Sequence, residues 1–346
     1  MPQLNCAILS VESTGGIGRE AARVHNDAWR LGGVAPRGTG TAASDAGDRI
    51  PKPPSPWALC ASSWLHFTKV WPKLAMSRAG NVTIEYRWGE GRNDRLPVLA
   101  ADLVQHRVAV IVAVGGTPAA VAAKAASATI PIVFMVGADP VELGFVESLD
   151  RPRGNMTGVS ALNVGTVAKR LQLMHELVPA ATEIAFLRNP TNPNFSALET
   201  RESQGAAVVL GVRLRLLNAS SPPEIEEAFA NLVTQRAGAL LLGTDPFFIS
   251  TRDQLVTLAT RYRIPAIYPI REDVLAGGLM SYGASNRDSY RLVGGYAGRI
   301  LSGRQPADLP VEQVTKIEMA INLKTAKTLG LTIPLPLLGR ADEVIE

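Results

Sequence analysis

Four short polar side chains punctuate this 346-residue sequence, each placed just after an apolar run. They are Thr117 in GGTP, Asp139 in GADP, Asn192 in NPTNPN and Asp245 in TDPFF. A hydroxyl, an amide and two carboxylates can donate and accept hydrogen bonds, and a carboxylate can hold an ammonium. Partners for catalysis are missing. The four histidines (His25, His66, His106 and His175) form no H-E-x-x-H, and the two cysteines (Cys6 and Cys60) give no paired ligand spacing. Neither G-x-S-x-G nor a Walker loop occurs. The pattern reads as a binding pocket rather than an enzyme, with no catalytic residue, metal or cofactor expected.

Each candidate has a plainer alternative. Gly116 and Thr117 open a helix after a strand, where exposed backbone N–H groups suit a carboxylate or phosphate; Thr117 acting only as a helix cap is an equal alternative. The G-x-G-x-x-G spacing of a nucleotide site is absent. Asp139 and Asp245 each precede a proline, the order of an N-cap and a first helical residue. Capping accounts for Asp139, whereas Asp245 is also a candidate for a ligand ammonium. Asn192 sits in a run whose Asn-Pro pairs favour turns, and its amide could equally meet a ligand. Ser160 and Asn163 lie where the chain is expected to cross between lobes. Phe247 and Tyr282 could wall a cleft, although single aromatics are more often core. Arg271 and Glu272 are expected to pair with each other at the surface, an interaction worth little.

The elements that must position these residues repeat along the chain. Continuous Val/Ile/Leu runs bounded by Gly, Pro, Asn and Asp read as strands buried on both faces, the mark of a parallel sheet. In such sheets ligands bind at the carboxyl ends of the strands. Strands are expected at residues 81–88, 108–114, 130–136, 183–188, 212–218, 239–243, 266–270 and 279–282. Helices are expected at 95–105, 118–126, a short one from 140, then 164–178, 194–210, 222–235, 248–262 and 287–302. Two βα series of similar size, joined near residues 157–162, imply two lobes around a cleft that closes by hinge motion.

Composition narrows the function classes. Hydrophobic content of 46% and charged content of 19% fit a globular protein with large cores. The net charge of +4 is modest and its Arg and Lys are scattered, so no nucleic-acid face is indicated. Nothing approaches the roughly 18 uninterrupted apolar residues of a membrane span.

The runs NVTIEYRWGEGRNDRLPVLAADLV, GGTPAAVAAKAA, TIPIVFMVGADPVELGFV, GNMTGVSALN, LRNPTNPN, LLLGTDPFF, RYRIPAIYPIREDVLAGGLMSYG and INLKTAKTLGLTIPLPLL carry a resemblance. In order over residues 81–346, they look like the solute-binding component of ABC importers, in the branch whose better-known relatives bind aromatic amino acids. The resemblance implies an α/β, two-lobed type I periplasmic-binding-protein fold with three crossovers, each lobe a doubly wound parallel sheet flanked by helices. It also implies a periplasmic location, a small-molecule ligand of amino-acid type, and a permease and ATPase as partners. The expected lobes are 81–159 with 283–312, and 160–282, with 313–346 as a last crossover and tail. Two other classes stay open: an α/β enzyme acting on a nucleotide or sugar phosphate, and the effector core of a transcription regulator. The first lacks its fingerprint and the second lacks a preceding helix-turn-helix.

The first eighty residues depart from this pattern. No charged and apolar leader is visible there, and residues 30–56 are rich in Gly, Ala, Pro and Arg without any sustained period. Read out of frame, residues 19–51 can spell a twin-arginine start and a cleavage-like site. In the third frame, residues 59–81 can spell an amphipathic helix leading into Asn81. The single-codon residue Trp29 fits the first spelling, and Trp71 and Met76 fit the second. The segment before about residue 80 is therefore expected to be a frame-shifted translation, poorly ordered and supplying no strand. The first lobe would then expose unpaired strand edges, and the second would be intact.

Overall fold

The computed structural model describes residues 7–13, 82–235 and 237–346. Along the chain, the first sheet collects β1 (Ala7–Ser13), β2 (Val82–Trp88), helix α1 (Leu96–Gln105), β3 (Val110–Ala113), α2 (Gly116–Ala126), β4 (Ile132–Val136) and β5 (Met156–Ser160). The chain then crosses and builds α3 (Asn163–Leu177), β6 (Glu183–Arg188), α4 (Pro193–Leu210), β7 (Arg213–Asn218), α5 (Pro222–Thr234) and β8 (Ala239–Leu242). Next come α6 (Pro246–Ser250), α7 (Arg252–Arg261), β9 (Ala266–Tyr268), α8 (Arg271–Leu275) and β10 (Met280–Ala284). Helix α9 (Asn286–Leu301) and β11 (Glu312–Gln313) return to the first sheet, and β12 (Ile317–Asn322), α10 (Leu323–Leu329), α11 (Leu335–Leu338) and β13 (Glu343–Ile345) finish in the second.

The sheet orders are β11-β5-β4-β3-β1-β2 and β13-β12-β10-β9-β8-β6-β7. Both are mixed α/β sheets whose strands are parallel except at two places. Strand β12 runs antiparallel to β10, and β1 runs antiparallel to both β2 and β3. Each sheet is covered on both faces, which is why β3 and β8 are buried at every position. In the first lobe, Leu96, Leu103, Ala119 and Ala123 pack on one face against Ile111, Ile132 and Phe134. On the other face Val293, Tyr296 and Ile300 of α9 pack on Val110, Val112, Val133 and Val159. In the second lobe Val167, Leu171 and Met174 cover Ile184, Phe186, Leu241 and Ile267. Phe229 and Leu255 cover Ala185, Leu187, Leu240 and Leu242 from the opposite side.

Three expectations are corrected. The slot between β2 and β3 is not empty: Ala7–Ser13 fills it, with Ala7 opposite Trp88 and Ile8 opposite Ala113. The first sheet therefore draws an interior strand, next to its β2 edge, from the segment expected to supply none. The residues after Pro140 form a turn rather than a helix, closed by Leu143 N–H to Asp139 O and Phe145 N–H to Pro140 O. Arg271 forms an ion pair with Glu343 of β13, and Glu272, expected at the surface, is buried.

One close approach gives a test of the first sheet. A Cβ added at Gly158 in β5 would fall 2.1 Å from the carbonyl oxygen of Phe134 on the adjoining β4. Gly158→Ala must push these hydrogen-bonded strands apart. It is expected to cost roughly 3 kcal/mol or more, the upper end of overpacking, as a drop in the urea midpoint. An unchanged midpoint would mean that the β4–β5 pairing is looser than described.

Candidate functional site

The strand order reverses at two points, between β1 and β3 in the first sheet and between β6 and β8 in the second. Crevices at such switch points are where doubly wound sheets bind ligands. Thr117 follows β3, Asn192 follows β6, and Asp245 follows β8. The two switch points face each other. A Cβ on Gly116, which has φ +74°, would stand 3.1 Å from Cγ of Pro246 in the other lobe. One on Gly137 would stand 2.9 Å from the ring of Phe195. The amide of Asn93, after β2, donates to Oγ1 of Thr191 at 3.3 Å. The two lobes therefore meet along loops at the carboxyl ends of their strands.

Asp245 is the centre of the second lobe's contribution. It caps α6, its Oδ1 accepting the Phe247 N–H at 2.9 Å. The same oxygen accepts from the Asn189 amide at 2.8 Å, and Oδ2 accepts from the Asn192 amide at 3.0 Å. Asn189 is itself fixed, because its oxygen takes the Thr191 N–H and hydroxyl. Asp245 is buried, and all three donors are neutral. Burial pushes its carboxyl above the usual aspartate range, opposed by the bonds from Asn189, Asn192 and the Phe247 N–H. With one bond at Oδ2, the carboxylate keeps an acceptor position open.

The first lobe offers a complementary end. Helix α2 begins at Gly116 with no side-chain cap. Thr117, in its first turn, is buried, and its Oγ1 finds no hydrogen-bond partner among the described residues. Thr117 therefore does not cap the helix. A buried hydroxyl without a partner in the first turn of a helix, where the helix dipole is positive, suits an anionic group.

The other sequence candidates divide. Ser160 is buried at the crossover, its hydroxyl donating to Ala138 O at 3.2 Å. Asn163, the first residue of α3, is half-buried, and its side chain would lie 3.1 Å from a Cβ on Gly137. Asp139 is exposed, and its Oδ1 accepts the Val141 N–H at 2.8 Å. Phe247 is core, packed on Phe248 with ring centroids 5.4 Å apart. Tyr282 is half-buried on β10 against the core formed with α3. The structure thus joins Asn192 to Asp245 and sets Gly116, the residue before Thr117, against Pro246, the residue after Asp245; Asp139 serves the N–H of Val141 in its own turn.

Sequence reasoning missed four residues. Asn189 is one, hidden in a run that turn chemistry explained. The others are Arg170, Glu199 and Thr244, joined in a buried network. Their signal was available: Arg170 falls in the apolar stripe of Val167, Leu171 and Met174, and Glu199 in the buried stripe of Phe195, Ser203 and Ala207. Among the described residues no cluster of His, Cys, Asp and Glu could hold a metal ion. No described helix is long and apolar enough to cross a membrane.

Comparisons with known proteins agree with this geometry. The chain is 28% identical over 251 residues to the tyrosine-binding protein of Clostridioides difficile (strain R20291), covering 72% of this chain and 71% of that protein. Two solved structures share the fold. A conserved domain protein from Vibrio cholerae O1 biovar eltor str. N16961 superposes with a TM-score of 0.74 at 24% identity, over 82% of this chain and 95% of the other. An ABC domain from Streptococcus pneumonia in complex with L-Trp gives 0.72 at 24% identity, over 82% and 96%. The family model for ABC transporter substrate binding proteins matches residues 74–345. With two lobes, facing switch points and that match over most of its length, this chain belongs to the ABC transporter substrate binding protein family.

Proposed function

We propose that this protein captures an aromatic amino acid, or a zwitterion of the same shape, between its lobes. It would deliver the ligand outside the cytoplasm to a permease driven by an ATPase, without chemical turnover. The observation that carries the reading is Asp245, a buried carboxylate held by neutral donors alone. An ammonium at its open Oδ2 position would supply the missing positive charge and a charge-assisted hydrogen bond. The ligand carboxylate would then lie on the Thr117 hydroxyl and the N-terminus of α2, where the helix dipole favours a negative group. Tyrosine and tryptophan, named for the relative and for the structural neighbour, have these two groups and an aromatic ring. Asn189 and Asn192 orient the carboxylate, and Ser160 and Asn163 lie at the turn between the lobes.

Calorimetric titration with L-tyrosine and L-tryptophan tests this directly. Asp245→Ala should weaken binding by about 2–5 kcal/mol, the scale for removing one partner of a desolvated charge pair. Stability should fall by only roughly 0.5–2 kcal/mol from the lost helix cap. Unchanged affinity beside lowered stability would leave Asp245 with the cap alone.

The raised carboxyl also has a pH signature in the ligand-free protein. A carboxyl raised on folding favours the native state most below its ordinary value of 3.8. That contribution is lost as pH rises through the folded value. Wild type should therefore lose stability relative to Asp245→Asn as pH rises from about 4 through the raised folded value. Parallel unfolding curves for the two proteins across that window would show that Asp245 does not bear the burial cost.

A further inference from the structure

Thr244, the residue before Asp245, is gripped from beneath by a buried ion pair. Arg170 of α3 donates from Nη1 to Thr244 Oγ1 at 3.0 Å and from Nη2 to Glu199 Oε1 at 2.9 Å. Glu199 of α4 turns both oxygens toward the Thr244 N–H, at 3.2 and 2.9 Å. Gly243 permits this approach. A Cβ there would fall 3.2 Å from Glu199 Oε2 and 2.9 Å from Leu187 O. Two helices thus hold the backbone one residue ahead of the carboxylate.

Stability alone is a poor reason for such a pair. Arg170 and Glu199 are buried with side-chain exposures of 0% and 2%, and apolar side chains of similar volume generally stabilise a buried site as well or better. What the pair adds is direction: guanidinium, carboxylate, hydroxyl and N–H each fix the angle of the next. The two helices also begin at functional places. Helix α4 starts directly after Asn192, which holds Oδ2 of Asp245. Helix α3 starts at Asn163, on the crossover between lobes.

We propose that Arg170 and Glu199 are positioning residues of the ligand site: they fix Thr244 so that Asp245 keeps its Oδ2 acceptor turned to the cleft, and they tie that loop to the helix leaving the crossover. This deepens the reading of Asp245 as the ammonium site and rests on it. The pair itself touches no ligand.

The decisive variant is the double substitution Arg170→Met with Glu199→Leu, which removes both charges at once and leaves neither stranded. Three measurements on the full chain separate positioning from packing. They are thermal unfolding, amide hydrogen exchange at Thr244 and Phe247 without ligand, and calorimetric titration with L-tyrosine and L-tryptophan. Positioning predicts a retained unfolding temperature, faster exchange at both amides, and affinity weaker by roughly tenfold or more, the scale on which supporting groups act on bound metals. Wild-type exchange and affinity in a stable double variant would overturn the proposal. If wild type binds neither amino acid, the ligand reading fails, and exchange at Thr244 and Phe247 decides the positioning role by itself. Should the double variant not fold, Thr244→Val removes only the Oγ1 acceptor and Thr244→Ser restores it. Faster exchange in the first, reversed in the second, supports the proposal; no difference between them overturns it.

Discussion

A carboxylate buried without a cation is the constraint around which the cleft end of the second lobe is built. Removing an ionised group from water costs several kcal/mol unless its oxygens are fully served. Glu199 and Asp273 are each served by a buried arginine, Arg170 and Arg252. Asp245 is served by two side-chain amides and a backbone N–H. Amides lower the cost of burial while leaving the negative charge in place, which is what the proposed ammonium would meet. That requirement reaches outward: Asn189 must be held by Thr191, Asn192 must end a loop at the start of α4, and Thr244 must not drift. The polar loop between β6 and α4 is therefore as much a component of the site as Asp245 itself.

The first lobe answers this charge with backbone and a hydroxyl. Its loops approach the second lobe closely where side chains are absent, at Gly116 against Pro246 and at Gly137 against Phe195. Glycine at 116 has a second reason, because its φ of +74° lies where a Cβ is strained. The crossover contains a similar departure in a residue with a side chain: Leu162 sits at φ 51°, ψ 29°, between Ser160 and Asn163. Left-handed conformations are uncommon outside glycine and are sustained by the surrounding structure. Here Ala161 N–H bonds to Val136 O and Val164 N–H to Gly137 O, pinning the turn on both sides to the end of β4. The place where the chain changes lobes is thus fastened to the same strand end that touches Phe195.

Much of this was legible in the sequence because the apolar runs are long and their polar endings short. Burial at every position of β3 and β8, and at all but Met135 of β4 and the two end residues of β6, follows from Val/Ile/Leu runs that no one-faced strand would need. Thr117, Asn192 and Asp245 stand out as strand-end residues, the position that matters in this fold. The network beneath them is hidden from sequence reasoning for a physical reason. Periodicity marks Arg170 and Glu199 as errors in an apolar stripe, and only the packing of α3 on α4 makes them partners of each other and of Thr244. The turn after Pro140 is ambiguous in sequence because Asp-Pro begins a turn and a helix with the same chemistry. The next few residues decide between them, and here Gly144 at φ +66° ends the segment after one turn.

Strand β1 of the first sheet shows how little a slot demands of the strand that fills it. The row of N–H and C=O groups on β2 and β3 can be satisfied by a partner running either way, since parallel and antiparallel ladders differ only modestly per residue. Ala7–Ser13 is apolar and β-branched enough to serve, with Ile8, Leu9 and Val11 in seven residues. Direction matters instead for function. A strand parallel to β2 and β3 would bring its carboxyl end, and the loop after it, to the cleft. Running antiparallel, the strand places Ala7 beside Trp88 at that end and Ser13 beside Val82 at the far one. The first sheet is completed as a hydrogen-bonded sheet, with the carboxyl end of this strand, Ser13, beside Val82 rather than at the switch-point end. The approaches of this lobe to the other therefore come from the loops after β2, β3 and β4, at Asn93, Gly116 and Gly137, and the proposed contribution of this lobe to the ligand is centred on Thr117 at the start of α2.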